Sequence, residues 1–215
     1  MGVNCFLLHL GMWHFEVLIA FMFASVGLTF APGPDILYVL SLSLNSGWKK
    51  GFMTALGLVS GLIFHTMAVA LGVGYIIERY SSLIIVIKIL GALYLLFLAY
   101  QMWTQKSIQS MKKENKKHFK EHFKTGLVMN LTNPKVSLFF LGFFPAFQFH
   151  DTWHMSTQFL FLGFLFLLQA LVIFFSVAFF SAVLGQSFSR VKDRINWNKI
   201  QSILLFSIAI LLFLS

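Results

Sequence analysis

Apolar residues along this chain fall into six long runs, at 15–45, 51–77, 82–103, 125–149, 155–185 and 198–214. Most reach or exceed the ~20 residues that a helix needs to cross a hydrocarbon core. The pattern predicts an all-α integral membrane protein with six transmembrane helices. Two of the runs are interrupted, the first by Pro32-Gly33-Pro34-Asp35 and the fourth by Asn133-Pro134-Lys135. A proline has no backbone donor and leaves a carbonyl without its helical partner. Hydrocarbon cannot supply that partner, so such breaks persist where protein or a water-filled cavity does. Paired breaks in corresponding segments mark a transporter binding site.

Placing residues 33–40 over 133–140 aligns one proline and the apolar run behind it. Three helices per half is an odd number, so a duplicated second half inserts upside down. The expectation is two inverted three-helix repeats, at 15–103 and 125–215, with their first and fourth helices broken at prolines. A short outer segment, 1–14, precedes them, and a basic cytoplasmic linker, 104–124, joins them. In this arrangement the half-helices beyond each break aim N-terminal dipoles of about half a charge toward an anionic group, for which a substrate carboxylate is the natural candidate.

Composition agrees with the membrane assignment: 58% of residues are hydrophobic, 11% are charged, and 27 are Phe. Charge adds orientation. Lys49, Lys50, seven lysines from Lys106 to Lys124, and Arg190, Lys192, Arg194 and Lys199 occupy alternate connections, whereas the opposite connections carry only Arg79. The positive-inside rule therefore puts both termini outside and the basic loops against anionic cytoplasmic lipid. The net charge of +9 is thus a topology signal and not a nucleic-acid footprint. The N-terminus lacks the basic stretch and small-residue cleavage site of a secretory signal. Cys5, the only cysteine, forms no intramolecular disulfide. No catalytic triad, phosphate-binding glycine loop or zinc-protease signature stands out, so neither an enzyme nor a cofactor is expected. The His150-Asp151/His154 and His118/His122 spacings lack shielding and sulfur, and no metal site is expected there.

Asp35 is the sharpest single residue, because an ionised carboxylate near the bilayer centre costs about 2.5–3.5 kcal/mol on insertion scales. It either exchanges a proton against substrate, or contacts a substrate ammonium, or caps the half-helix behind Pro34. Lys135 holds the equivalent place in the fourth helix. It either pairs with Asp35 or snorkels toward the cytoplasmic face. Lys88 lies near the outer end of the third helix, where snorkelling and function are both open. His65 either relays protons or hydrogen-bonds to a neighbouring helix. Asn130 and Asn133 either contact substrate or satisfy the carbonyls freed by Pro134. Gly57 and Gly61 form a small-residue pair suited to close helix packing, within the monomer or across a homodimer. Trp48, Trp103, Trp153 and Trp197 fall at helix ends, as in an interfacial belt.

Pro32-Gly33-Pro34-Asp35, followed by Gly47, Gly51, Gly57, Gly61 and His65, resembles the amino-terminal signature of the LysE/RhtB family of amino-acid exporters. Gly126-Leu-Val-Met-Asn130-Leu-Thr-Asn133-Pro134-Lys135 and the Phe-rich run to Pro145 are similar to that family's fourth-helix motif. Lys88 with Gly91-Ala92-Leu93-Tyr94-Leu95 is similar to its third helix. The resemblance covers about residues 15–150, and the last helix lacks the glycines found in the family. It implies a cytoplasmic (inner) membrane protein that exports amino acids or close derivatives, driven by protons and working as a homodimer. The alternatives from the residues themselves are an inverted-repeat exporter of an inorganic cation, which calls for several converging acidic or sulfur groups, and a non-transporting membrane scaffold, which has no use for two broken helices.

Overall fold

The computed structural model describes residues 13–30, 33–74, 80, 83–104 and 118–194, with 199, 202–203, 206–207 and 209–210 of the last segment. Among these the chain is helical. The first run is broken as expected into α1 (Phe15–Phe30) and α2 (Pro34–Ser46), whose axes meet at 54°. Glycine at 47, with φ +90°, ends α2 and starts α3 (Trp48–Ala68), which continues through a π-helical turn at Val69–Val73. A residue with a Cβ is strained at that φ, so glycine suits this corner. Then come α4 (Leu83–Thr104), α5 (Phe119–Leu131), α6 (Pro134–Leu138) and α7 (Met155–Arg194). The α6 segment passes directly into a π-helical turn at Phe139–Phe143 and a 3-10 turn at Phe144–Ala146, and the α5–α6 bend is 48°.

Two helices, Trp48–Val73 and Met155–Val183, are each long and apolar enough to cross a membrane, and each bent pair passes the same test when its two helices are taken together, as a broken span or a re-entrant loop. Two ends differ from the hydropathy reading. The α5 helix starts at Phe119 instead of 125, and α7 runs to Arg194 instead of stopping near 185. Hydropathy marks where a helix leaves hydrocarbon, whereas hydrogen bonding continues into water wherever a cap or helix-forming residues allow. At α5 the Glu121 carboxylate accepts the His118 N–H at 3.0 Å, one arm of a capping box. The sixth expected helix is described only at scattered positions, which are helical. There Ser202 Oγ donates to the Ala99 carbonyl of α4 at 2.6 Å.

The α3 helix is the centre of the bundle and packs most extensively on α5 and α7. Glycines set the α3–α5 spacing. A Cβ on Gly57 would run into the Phe123 carbonyl of α5, and one on Gly126 into the Thr54 carbonyl of α3, so the two backbones touch where no side chain fits. Gly61 likewise lies against the Asn130 side chain. Packing within the monomer is therefore what the Gly57/Gly61 pair does. Beside this crossing a phenylalanine core forms. Phe139, Phe140, Phe143 and Phe144 are all buried, with Phe21 of α1 and Phe159 and Phe166 of α7 around them. Large apolar side chains cover the outside instead, among them Phe23, Phe164 and Val172, which suits a lipid solvent.

Candidate functional site

The two breaks have the same local chemistry. Gly33 and Asn133 are the N-caps of α2 and α6, Pro34 and Pro134 take the first helical position, and Asp35 and Lys135 take the second. Proline is preorganised for that first position, because its missing N–H belongs to the donors that have no intrahelical partner anyway. The unlike residues at the second position put one negative and one positive group at matching places. Both are buried, Asp35 at 5% exposure and Lys135 at 9%.

Asn133 ties the two breaks together. Its Oδ1 accepts the Lys135 N–H at 3.0 Å, capping α6, while its Nδ2 donates to Asp35 Oδ2 at 2.8 Å, across 98 residues of sequence. The N-cap of α2, Gly33, supplies no side-chain cap hydrogen bond. The second oxygen of Asp35, Oδ1, is buried and has no hydrogen-bond partner among the described residues.

The prolines also determine which carbonyls need help. In a continuous helix the N–H at position 32 would serve the Leu28 carbonyl, and that at 134 the Asn130 carbonyl. Lys135 Nζ donates to the Leu28 carbonyl at 3.1 Å, a buried contact between the second break and the first. The Asn130 carbonyl accepts the Asn133 N–H at 3.1 Å, and His65 Nε2 lies 3.4 Å from it. His65 is half-buried, with its ring 5.5 Å from that of Phe140. It is therefore held to a neighbouring helix, and it does not line the cavity described next.

A cavity of about 20 Å3 at the breaks is lined by the polar residues Thr29, Asp35, Asn130 and Lys135 and by apolar ones that include Leu62, Phe166, Ala170 and Phe174. This volume admits about one water and no amino acid. Of the expected site residues, Asp35, Lys135 and Asn130 meet here, Gly33, Pro34, Asn133 and Pro134 shape the two breaks, and His65 stands aside. Pro32 and the Lys88 side chain lie outside the described residues. Sequence reasoning missed Gln169 of α7, whose Nε2 donates to Thr29 Oγ1 at 3.0 Å, while Thr29 Oγ1 donates to the Ser25 carbonyl at 2.8 Å. The available signal was an uncharged polar residue in the middle of a 29-residue apolar span.

Ring contacts lead away from the cavity, from Phe166 to Phe139 at 5.5 Å, to Phe143 at 4.8 Å and to Phe147 at 4.6 Å. Beyond them the start of α1 is fastened to the segment before α7. Trp13 pairs with His150 as an isolated antiparallel bridge, its ring lies 5.3 Å from that of Trp153, and the His14 N–H donates to the Phe149 carbonyl at 2.9 Å. Gln158 secures the turn from inside, its Oε1 accepting the Phe149 and His150 N–H groups. An open vestibule of about 520 Å3 lies here.

On its rim His14 Nε2 is 3.2 Å from Asp151 and Nδ1 is 3.4 Å from Glu16. The hydrogen bond to Asp151 holds the His14 pKa above the ordinary histidine value, since the protonated ring gains an acceptor. A raised value means that the contact is fully present below the ordinary histidine pKa and fades as pH rises through the raised one. An NMR titration is expected to show His14 deprotonating above free histidine, with Asp151→Asn moving it back. A titration indifferent to Asp151→Asn contradicts the contact.

Comparison with known proteins gives the same direction. The chain is 32% identical over 129 residues to a leucine efflux protein of Salmonella choleraesuis (strain SC-B67), covering 59% of this chain and 61% of that protein. It is 30% identical over 140 residues to the uncharacterized membrane protein YrhP of Bacillus subtilis (strain 168), covering 60% of this chain and 67% of that protein. The match thus takes in less than two thirds of the Salmonella protein. No solved structure matches. Residues 26–215, including both proline breaks, match the LysE type translocator family. The chain therefore belongs to that family, whose members are transporters and not enzymes.

Proposed function

We propose that this protein is a secondary transporter of the cytoplasmic membrane that exports amino acids or close derivatives by proton antiport. The single observation that carries the reading is the buried Asp35 carboxylate with one oxygen unpartnered among the described residues, lining one cavity with Lys135 at two matched helix breaks. An amino-acid zwitterion complements that site. Its ammonium takes the open oxygen of Asp35, and its carboxylate lies toward the first-turn N–H groups of α2, where the helix dipole favours an anion. The leucine efflux relative supports an amino-acid cargo.

The matching N-cap, proline and charge positions support the reading of two inverted three-helix repeats, at 15–103 and 125–215, around a 104–124 cytoplasmic linker, with segment 1–14 and the C-terminus outside. The small volume supports alternating access: a cavity for one water takes up an amino acid only when its walls separate. The phenylalanine run and the Trp13 fastening belong to the closed outer side, and one repeat rocks against the other to open it. Asp35 exchanges substrate ammonium for an external proton. One charge moved across 100 mV supplies about 2.3 kcal/mol, roughly a 50-fold gradient.

Cells that overproduce the protein and are fed a dipeptide mixture are expected to accumulate one or a few amino acids in the medium, and an uncoupler is expected to stop uphill efflux. A medium identical to that of empty cells contradicts export, and uphill efflux that persists with the gradient collapsed contradicts proton coupling.

A further inference from the structure

Charge at the cavity comes from the helix breaks. Among the described residues Asp35 and Lys135 are its only ionisable lining residues. The α7 helix contributes a single face to the lining. Phe166, Ala170 and Phe174 are spaced four residues apart, so they stack along one side of the helix, and all three are buried. Leu62 of α3 lines the cavity as well. Ala170, at 0% exposure, is the small member between two phenyl groups in this lining.

We infer that this α7 face is the side-chain selectivity wall of the transporter, that its cargo has an uncharged apolar side chain, and that residue 170 sets the upper size limit. The inference rests on the export reading and deepens it. Once the ammonium and carboxylate of the cargo are met at the breaks, a third charge would find no counter-charge among the described lining residues, only the Thr29 hydroxyl and the Asn130 amide, at a cost that disfavours it. An apolar side chain meets Leu62, Phe166, Ala170 and Phe174 on this wall. Its allowed length depends on the room that residue 170 leaves between Phe166 and Phe174. One methylene in such a pocket changes discrimination by about 10- to 200-fold, so a change of two methyl groups at residue 170 reads out clearly.

The test is efflux from proteoliposomes loaded with an equimolar set of labelled glycine, alanine, valine, leucine, phenylalanine, lysine and glutamate, with each variant's abundance in the membrane measured in parallel. Wild type is expected to move the apolar members and to leave lysine and glutamate behind. Ala170→Val is expected to lower the largest cargo moved by wild type at least tenfold relative to alanine. Phe174→Leu, which removes volume from the same wall, is expected to shift the profile the other way, toward larger cargo, so the proposal does not depend on one overpacked variant. Unchanged relative rates in both variants at wild-type abundance would overturn the selectivity wall and leave export intact. A uniform fall for every cargo in both variants would also overturn it. Wild-type vesicles that move lysine or glutamate as well as leucine would overturn the apolar assignment, whereas vesicles that move no amino acid at all would overturn the export reading itself.

Discussion

Asp35→Asn is expected to abolish uphill amino-acid efflux, to lower downhill efflux by about 10- to 100-fold and to remove its dependence on the pH gradient, with the protein still present in the membrane. Asparagine keeps the shape and an oxygen that can accept from Asn133 Nδ2, the bond that links the two breaks at 2.8 Å. It cannot accept a proton for transport, nor offer a charge to a substrate ammonium. A hydrogen bond to a charged group contributes about 1.5–3 kcal/mol, and about 1.4 kcal/mol is one decade of affinity. The loss of pH dependence separates a proton carrier from a structural carboxylate, because a merely structural Asp35 would lower abundance and leave the profile of the surviving protein unchanged. Full export with an unaltered pH profile would contradict the assignment.

The second large effect belongs to Lys135. Lys135→Met is expected to destabilise the protein by about 3–5 kcal/mol, the usual consequence of leaving a buried charge without its counter-charge. The variant also strips the Leu28 carbonyl of the donor that reaches it at 3.1 Å. In Asp35→Asn/Lys135→Met no charge is left in the cavity, so most of the electrostatic loss is recovered. The unserved carbonyl still costs about 1–3 kcal/mol. Thermal unfolding in detergent should therefore place the double variant above the single Lys135→Met and below wild type, and neither variant should transport. Additive losses in the double variant would show that the two charges do not depend on each other.

These expectations start from features that are local in sequence. Proline chemistry needs no tertiary information, so both breaks, their matching registers and the charged residue behind each are visible in the chain. The rule that connects residue i to residue i−4 even names the carbonyls of Leu28 and Asn130 as the ones left over. Which side chains reach them is not visible, because Lys135 and His65 arrive from other helices whose rotation the sequence does not fix. This is why the chain leaves His65 open between a proton relay and a residue bonded to a neighbouring helix, and why its place 3.4 Å from the Asn130 carbonyl comes only from the structure. Gln169 was overlooked for a related reason. An uncharged side chain hardly lowers the hydropathy of a long apolar run, and its bond to Thr29 crosses 140 residues. Helix ends escaped where polar residues continue a helix into water, as at Phe119 and between 185 and Arg194. Gly57 and Gly61 mark a close backbone approach, within the monomer or across a dimer, because such an approach demands the absence of a side chain; that α5 and its Gly126 fill it is visible only in the structure.

The most direct test of the account is transport by the purified protein in liposomes, loaded with the amino acid that its cells secrete, under an imposed pH gradient with the lumen alkaline and the medium acidic. Proton-coupled export through the Asp35 site predicts efflux against a concentration gradient in these liposomes, none when the gradient is collapsed, and none in Asp35→Asn liposomes. Efflux equal to that of protein-free liposomes, or uphill efflux that Asp35→Asn leaves intact, would contradict it.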